Sequence, residues 1–327
     1  MKYDVLSLGP ARMDVFVRLP EDEVEEICSI DRKRCVIELG FGAKIAVKGI
    51  SFAVGGNTGN IAVGLTRLGL KAAMAGTMGD GWTDKQAMEI LKSEGVETKY
   101  ICLAPGLTGL GVVINYAEER TILSYYPKAV CSFPVDPELS ADWVYLTTAG
   151  EVYEDFYRQA VEAAGEWGGK VAFNPGSRQI RDGLAKLEPT MEKTEVLFVN
   201  REEAAHLLGR TVDAKIKELL VGLAQTGPKV VVITDGPGGT YAYNGQKFWH
   251  MPIVPAPVVE RTGAGDAFGS GFLAAYMQGK PIEEALRWGT VNSASVLGFI
   301  GPQAGLLSPE KMQEWLVRAA DVKVKEL

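Results

Sequence analysis

Apolar residues along the chain fall into two alternating patterns. Short apolar runs at Val5–Leu8, Val144–Leu146, Val171–Phe173, Val196–Val199 and Val230–Thr234 read as buried strands. Between them, Tyr153–Glu166, Glu202–Leu208 and Ala214–Gln225 carry apolar residues at three- and four-residue spacing and predict amphipathic helices. This alternation predicts β-α-β units and so an α/β fold: a mostly parallel sheet covered by helices on both faces. Ligands of such sheets bind beyond the C-terminal ends of the strands. The segments that matter most are then Gly9–Asp14, Thr147–Glu151, Asn174–Arg178, Asn200–Glu203 and Asp235–Gly239.

Two stretches break this rhythm. Residues 34–54 read as a small β-meander with turns at Gly40, Gly42 and Gly49, and residues 108–127 as a hairpin with Glu118 and Glu119 near its turn. Both are too short to be domains, so they are expected to form a small β lid over the ligand edge of one domain spanning 1–327. The acidic run 21–26 and the basic run after it predict a solvated loop or short helix.

Composition narrows the chemistry. Two histidines, His206 and His250, exclude a multi-histidine metal site, and a net charge of −7 argues against a nucleic-acid or anionic-membrane binder. Cys28, Cys35, Cys102 and Cys131 form no CxxC pair and are expected as reduced thiols. No apolar run is long enough to span a bilayer and the first twenty residues lack a signal-peptide pattern, so the expected setting is the cytoplasm.

The most informative segment is VVERTGAGDAFGSGFLAAYMQG, residues 258–279. A glycine-rich turn at Thr262–Gly265 opens an apolar helix from Asp266 to Met277, and free amides at such a helix start, with the helix dipole, form an anion site. Asp266 could be a helix cap. Beside a phosphate cradle a carboxylate also suits a base that takes the proton from an attacking hydroxyl. Gly269 and Gly271 each lower helix propensity by about 1 kcal/mol against alanine, which points to close backbone packing.

GAGDAFGSGF resembles the C-terminal signature of the ribokinase/PfkB carbohydrate kinase family. The N-terminal signature is recognisable in Gly55-Gly56-Asn57-Thr58-Gly59-Asn60-Ile61-Ala62, with LTRLG at 65–69 and Gly76, Gly79 and Asp80 following. The resemblance covers residues 4 to about 306 and implies a ribokinase-like fold. It also implies an ATP-dependent phosphotransferase with an alcohol acceptor, Asp266 as general base and the amides of Gly263, Ala264, Gly265 and Asp266 as the anion hole. It assigns Gly55, Gly56, Asn60 and Asp14 to the acceptor pocket; Arg12, two residues before Asp14 where the family often has a neutral residue, is a further candidate there. Asn200 and Glu203 would organise Mg²⁺ through water, Thr234, Gly236 and Gly239 would form the nucleotide loop, and Asn292 would flank adenine. Gly301–Gly305 would lie near the nucleotide and a monovalent-cation site, and the lid would pair two subunits into a homodimer.

Departures from the family pattern leave alternatives open. The family's Asp-Thr before T-G-A-G-D is Glu260-Arg261 here, which puts the monovalent cation in doubt. Arg261 either pairs with Glu260 or touches phosphate. Arg12 and Arg178 suit an anionic acceptor or structural ion pairs. Phe41, Tyr116, Tyr125 and Tyr126 near the lid suit a stacked base or plain packing. The acceptor is read as a sugar or sugar-like polyol, with a nucleoside as the alternative on the same fold. A non-catalytic sugar- or nucleotide-binding sensor is the remote one.

Overall fold

The computed structural model describes residues 2–22, 24–29, 35–117, 119–125, 133–134 and 136–327. The turn residue Glu118, the basic run 31–34, Tyr126 and Cys131 lie outside these residues.

A ten-stranded sheet forms the body. From one edge its strands are Lys325–Glu326, Phe248–Met251, Thr240–Tyr243, Val230–Thr234, Thr194–Asn200, Lys170–Phe173, Ser140–Leu146, Lys2–Leu8, Ala72–Met78 and Glu97–Leu103. The strands from Val230–Thr234 to Glu97–Leu103 run parallel, and the three at the other edge pair antiparallel. Period-two alternation splits each strand between two cores. Leu6, Leu8, Val144 and Leu146 join the cluster covered by Glu154–Glu166 and Ile216–Ala224. Val5, Trp143 and Tyr145 join the opposite cluster, with Asn57–Arg67, Ala264–Met277 and Ile282–Val296. Both faces are thus covered, in an α/β fold with a separate small β lid.

The chain leaves Lys2–Leu8 toward Ala72–Met78 on one side and later returns to Ser140–Leu146 on the other. Strand order reverses here, so a crevice opens at the C-terminal ends of these strands. Behind it, Ala264–Met277 packs closely on Ile282–Val296. A Cβ on Gly271 would lie 2.7 Å from the Trp288 carbonyl oxygen, which explains the glycine in mid-helix.

The lid is a four-stranded sheet in the order Gly49–Gly55, Arg12–Arg18, Leu110–Tyr116, Glu119–Tyr125. The hairpin matches its expected place, but the meander does not. Only Gly49–Gly55 enters the lid, while Cys35–Glu38 pairs with Glu25–Cys28 in a separate ribbon. That ribbon also replaces part of the loop or short helix expected at 21–26. Gly9–Asp14 is the larger correction: read as a ligand-edge segment, it enters at Arg12 a lid strand, Arg12–Arg18, that lies between two others. The expectation of reduced thiols is overturned in part, because the ribbon register places Cys28 opposite Cys35 and the two form a disulfide. Cys102 is free.

Candidate active site

Three cavities adjoin along the crevice. A pocket of about 220 Å³ is faced by Asp266, Glu203, Asn200, Arg120 and Arg261. It shares Thr234, Gly265, Phe268 and both arginines with a cavity of about 520 Å³. It shares Asn57, Asn174 and Glu203 with another of about 630 Å³. The smallest pocket is thus a junction between two larger ones, and Asp266 lies at it.

The junction is built on the glycine turn. Gly263 has φ 80°, and a Cβ there would lie 2.3 Å from Pro302 Cβ, so the position demands glycine. The chain then enters Ala264–Met277, whose first-turn amides have no carbonyl partner within the helix and whose dipole favours anions. Ala264 N–H makes a long 3.4 Å bond back to the Arg261 carbonyl.

Glu260 is buried, and its Oε1 accepts from the Thr262 N–H at 2.7 Å and the Thr262 hydroxyl at 2.5 Å. Arg120 Nε, from the lid hairpin, lies 3.7 Å from the same oxygen. Arg261 instead faces Glu119 at 3.9 Å. Arg120 Nε, Arg261 Nε and Glu260 Oε2 are buried without hydrogen-bond partners among the described residues. Two guanidiniums with unspent donors at a cavity wall suit an oxyanion ligand. Arg120 was not singled out in the sequence. Nothing local marks it, because its partner is 140 residues away and only the lid register brings them together.

Asp266 accepts a 2.7 Å hydrogen bond from Asn60 Nδ2. Burial pushes its carboxyl up to about 6, with the Asn60 hydrogen bond pulling the other way. Such a group is ionised at neutral pH and basic enough to share a proton with a hydroxyl. The Asn60 amide lies between Asp266 and Gln303, and Asn60 is not among the residues lining the 630 Å³ cavity.

Asn200 and Glu203 cap the helix Arg201–Leu207 reciprocally: Asn200 Oδ1 accepts from Glu203 N–H at 2.8 Å, and Glu203 Oε2 accepts from Asn200 N–H at 2.9 Å. Both line the junction. Burial raises the Glu203 carboxyl, and Glu202 and Asp266 add to this against the Asn200 hydrogen bond.

Thr234, Gly236 and Gly239 line the 520 Å³ cavity, facing an apolar wall that includes Val254, Ala256, Ala294 and Leu297. Asn292 does not line it. Fully buried, it donates to the Ala267 carbonyl at 2.8 Å and accepts from Leu307 N–H at 3.0 Å, so it ties helices together. The neighbouring Thr290 and Ser293 face the cavity instead. Residues 301–305 do not line that cavity either; Pro302 packs on Gly263.

The 630 Å³ cavity is lined by Arg12, Asn57, Asn174, Arg178 and Arg181, with Met78, Leu107 and Ile122 as an apolar side. Asp14 lies behind Arg12 and pairs with its Nε at 2.8 Å, both side chains being buried. Burial raises the Asp14 carboxyl and Arg12 opposes the shift. A Cβ on Gly55 or Gly111 would come within 1.9 or 2.0 Å of this carboxylate, so the two strands leave a slot for it. Gly55 and Gly56 thus act through Asp14 and the turn and do not line the cavity themselves. Arg178 pairs with Glu151 at 3.3 Å.

Comparison with known proteins bears on the fold and the family. The pfkB family carbohydrate kinase profile matches residues 24–308. A nucleoside kinase of Methanothermobacter thermautotrophicus is 26% identical over 309 residues, covering 93% of this chain and 92% of that protein. Among solved structures, Arabidopsis thaliana ribokinase complexed with ribose and ATP superposes with a TM-score of 0.77 at 20% identity, covering 97% of this chain and 99% of the other. Methanocaldococcus jannaschii nucleoside kinase superposes at 0.73 and 20%, covering 97% and 98%. The chain therefore belongs to the pfkB carbohydrate kinase family and is a sugar or nucleoside kinase, a phosphotransferase with a hydroxyl group as acceptor.

Proposed function

We propose that this enzyme transfers the γ-phosphoryl group of ATP to a primary hydroxyl of a sugar or sugar-like acceptor, with Asp266 as general base. The observation that carries this reading is the place of Asp266, at the junction between the cavity bearing Thr234, Gly236 and Gly239 and the cavity bearing Arg12 and Asn57. ATP would lie in the first with its phosphates reaching the junction, and the acceptor in the second. Asp266 takes the hydroxyl proton as the oxygen attacks phosphorus in line, and the bond to the β-phosphate oxygen breaks. The amides around Gly263–Asp266, with Arg120 and Arg261, hold the charge on the transferring group. The whole chain acts as one unit, with the small sheet closing over the acceptor and excluding water.

Mg²⁺ fits this junction by donor chemistry. Glu203 keeps one carboxylate oxygen outside its cap, beside the amide of Asn200, and hard oxygen donors with substrate phosphates suit a hydrated Mg²⁺. Glu203 and Asn200 would hold it through water, and when bound it would neutralise phosphate charge.

A nucleoside acceptor is the second reading. The acceptor cavity of about 630 Å³ is in the range that encloses a drug-sized ligand, and its Met78, Leu107 and Ile122 side could receive a base. A panel of sugars and nucleosides with coupled ADP detection tests both readings. Acceptor-dependent ADP release is expected. Tight ligand binding with no transfer across the panel would favour a sensor instead.

Arg120→Met removes a lid-borne cation from the junction. It should lower kcat roughly 10- to 100-fold with a smaller change in acceptor KM, measured by steady-state kinetics. An unchanged kcat would remove Arg120 from the phosphate site. The lid also exposes Ile50, Phe52, Leu123 and Tyr125, each more than half accessible, which supports pairing of two subunits through this sheet. Sedimentation should then give a dimer, and a monomer at working concentration would exclude it.

A further inference from the structure

Asn60 and Gln303 form a chain of hydrogen bonds behind Asp266 whose direction is set by chemistry. An ionised carboxylate can only accept, so Asn60 must turn its NH2 toward Asp266, at 2.7 Å. Its Oδ1 then points the other way and needs a donor. Gln303 Nε2 supplies one at 3.1 Å. Both amides are buried, Asn60 at 3% and Gln303 at 7% exposure, so water offers little substitute.

The backbone carrying Gln303 is itself held. Arg67, on the same helix as Asn60, donates through Nη1 to the carbonyls of Gln303 at 2.6 Å and Leu306 at 3.2 Å. Its Nε and Nη2 form a two-pronged bond with Glu94 at 2.8 and 2.7 Å, which fixes the fork. Glu94, Arg67 and Gln303 therefore brace one amide, that of Asn60.

Resting on the assignment of Asp266 as base, we infer that Gln303 is a positioning residue for the phosphoryl transfer: its side-chain donor locks the Asn60 amide with NH2 facing Asp266. Without that donor, Asn60 can rotate its carbonyl toward the carboxylate, where it would stabilise the protonated acid and disable the base. Among the described residues, the other charged or titratable groups that share the junction wall with Asp266 are Glu203, Tyr145, Arg120 and Arg261, and the variants below leave them in place.

The test compares kcat/KM against pH for the parent enzyme and for Gln303→Met and Gln303→Glu, with nucleotide KM and thermal melting in parallel. Gln303→Met loses the donor at similar length. Gln303→Glu presents an acceptor to Asn60 Oδ1 and should drive the flip. The acid limb should move to higher pH in both, by about one pH unit in Gln303→Glu and less in Gln303→Met, with nucleotide KM unchanged. A merely structural residue would lower the melting temperature and leave the limb in place, and that result overturns the inference. If Asp266→Asn turns over normally, the base assignment fails and this inference with it. If Asp266→Asn is inactive while the limb stays fixed in both Gln303 variants, the base assignment stands and only the role of Gln303 falls.

Discussion

Asp266→Asn should lower kcat roughly 10²- to 10⁴-fold while nucleotide affinity stays within a few-fold of the parent. Asparagine keeps the shape and can still accept the Asn60 hydrogen bond, but it cannot take a proton. The loss should therefore appear in the chemical step, read as kcat, with nucleotide binding checked by calorimetry. The same change carries a stability signature. Burial holds the Asp266 carboxyl near 6 in the folded chain against 3.8 as its ordinary value. Above pH 6 the folded state must carry a charge it disfavours, which costs stability; below about pH 4 both states are protonated and the cost vanishes. Asp266→Asn should melt higher than the parent at pH 7.5, and the gain should shrink as pH falls from 6 toward 4. A variant that is nearly inactive yet more stable is the expected pairing, because a base strained by burial is maintained for function.

Gly263→Ala should cost roughly 10²- to 10³-fold in kcat, through the anion hole rather than the base. The residue has φ 80° and faces Pro302 at 2.3 Å from any added Cβ, so the turn or the 301–305 loop must shift. Left-handed backbone costs a non-glycine residue about 1–2 kcal/mol, a modest part of global stability. The chain should therefore fold, with its melting temperature lowered by a few degrees, but with Gly265 and Asp266 displaced from the junction. Affinity for ATP should fall more than affinity for the nucleoside part alone, since the apolar wall at Val254 and Leu297 is untouched. Equal turnover in this variant would mean that these amides do not hold the transferring group.

How much of this was legible in sequence depended on the range of the interaction. The parallel strands and their helices showed themselves locally, because burial on both faces produces runs such as Val230–Thr234. Gly271 in mid-helix announced close packing, and Trp288 supplied it. Arg12–Arg18 escaped because burial at its start does not follow polarity: Arg12, Met13 and Asp14 are all buried, two of them as an ion pair. Cys28 and Cys35 looked unrelated until their strands met as a ribbon. The glycine turn before Ala264–Met277 was readable because its requirement is short-range, a left-handed residue before a helix. Arg120 was not, since its approach to Glu260 depends on hairpin register and on how the lid rests on the body. Asn60 and Asn292 mark a third limit. Motif position placed both near a ligand, whereas their partners, Asp266 and Gln303 for one, Ala267 and Leu307 for the other, turn their amides into the protein.

The measurement that tests the account most directly is kcat/KM against pH, taken for the parent and for the residual activity of Asp266→Asn with the same nucleotide and acceptor. For an unliganded base held near 6, the parent profile should fall below that pH. The nucleotide's own phosphate also ionises near pH 6, but it does so in both proteins and cancels in the comparison. The account predicts an acid limb in the parent that is steeper than in Asp266→Asn, where only the nucleotide's ionisation remains. Superimposable profiles, differing at most by a constant factor, would contradict Asp266 as the base.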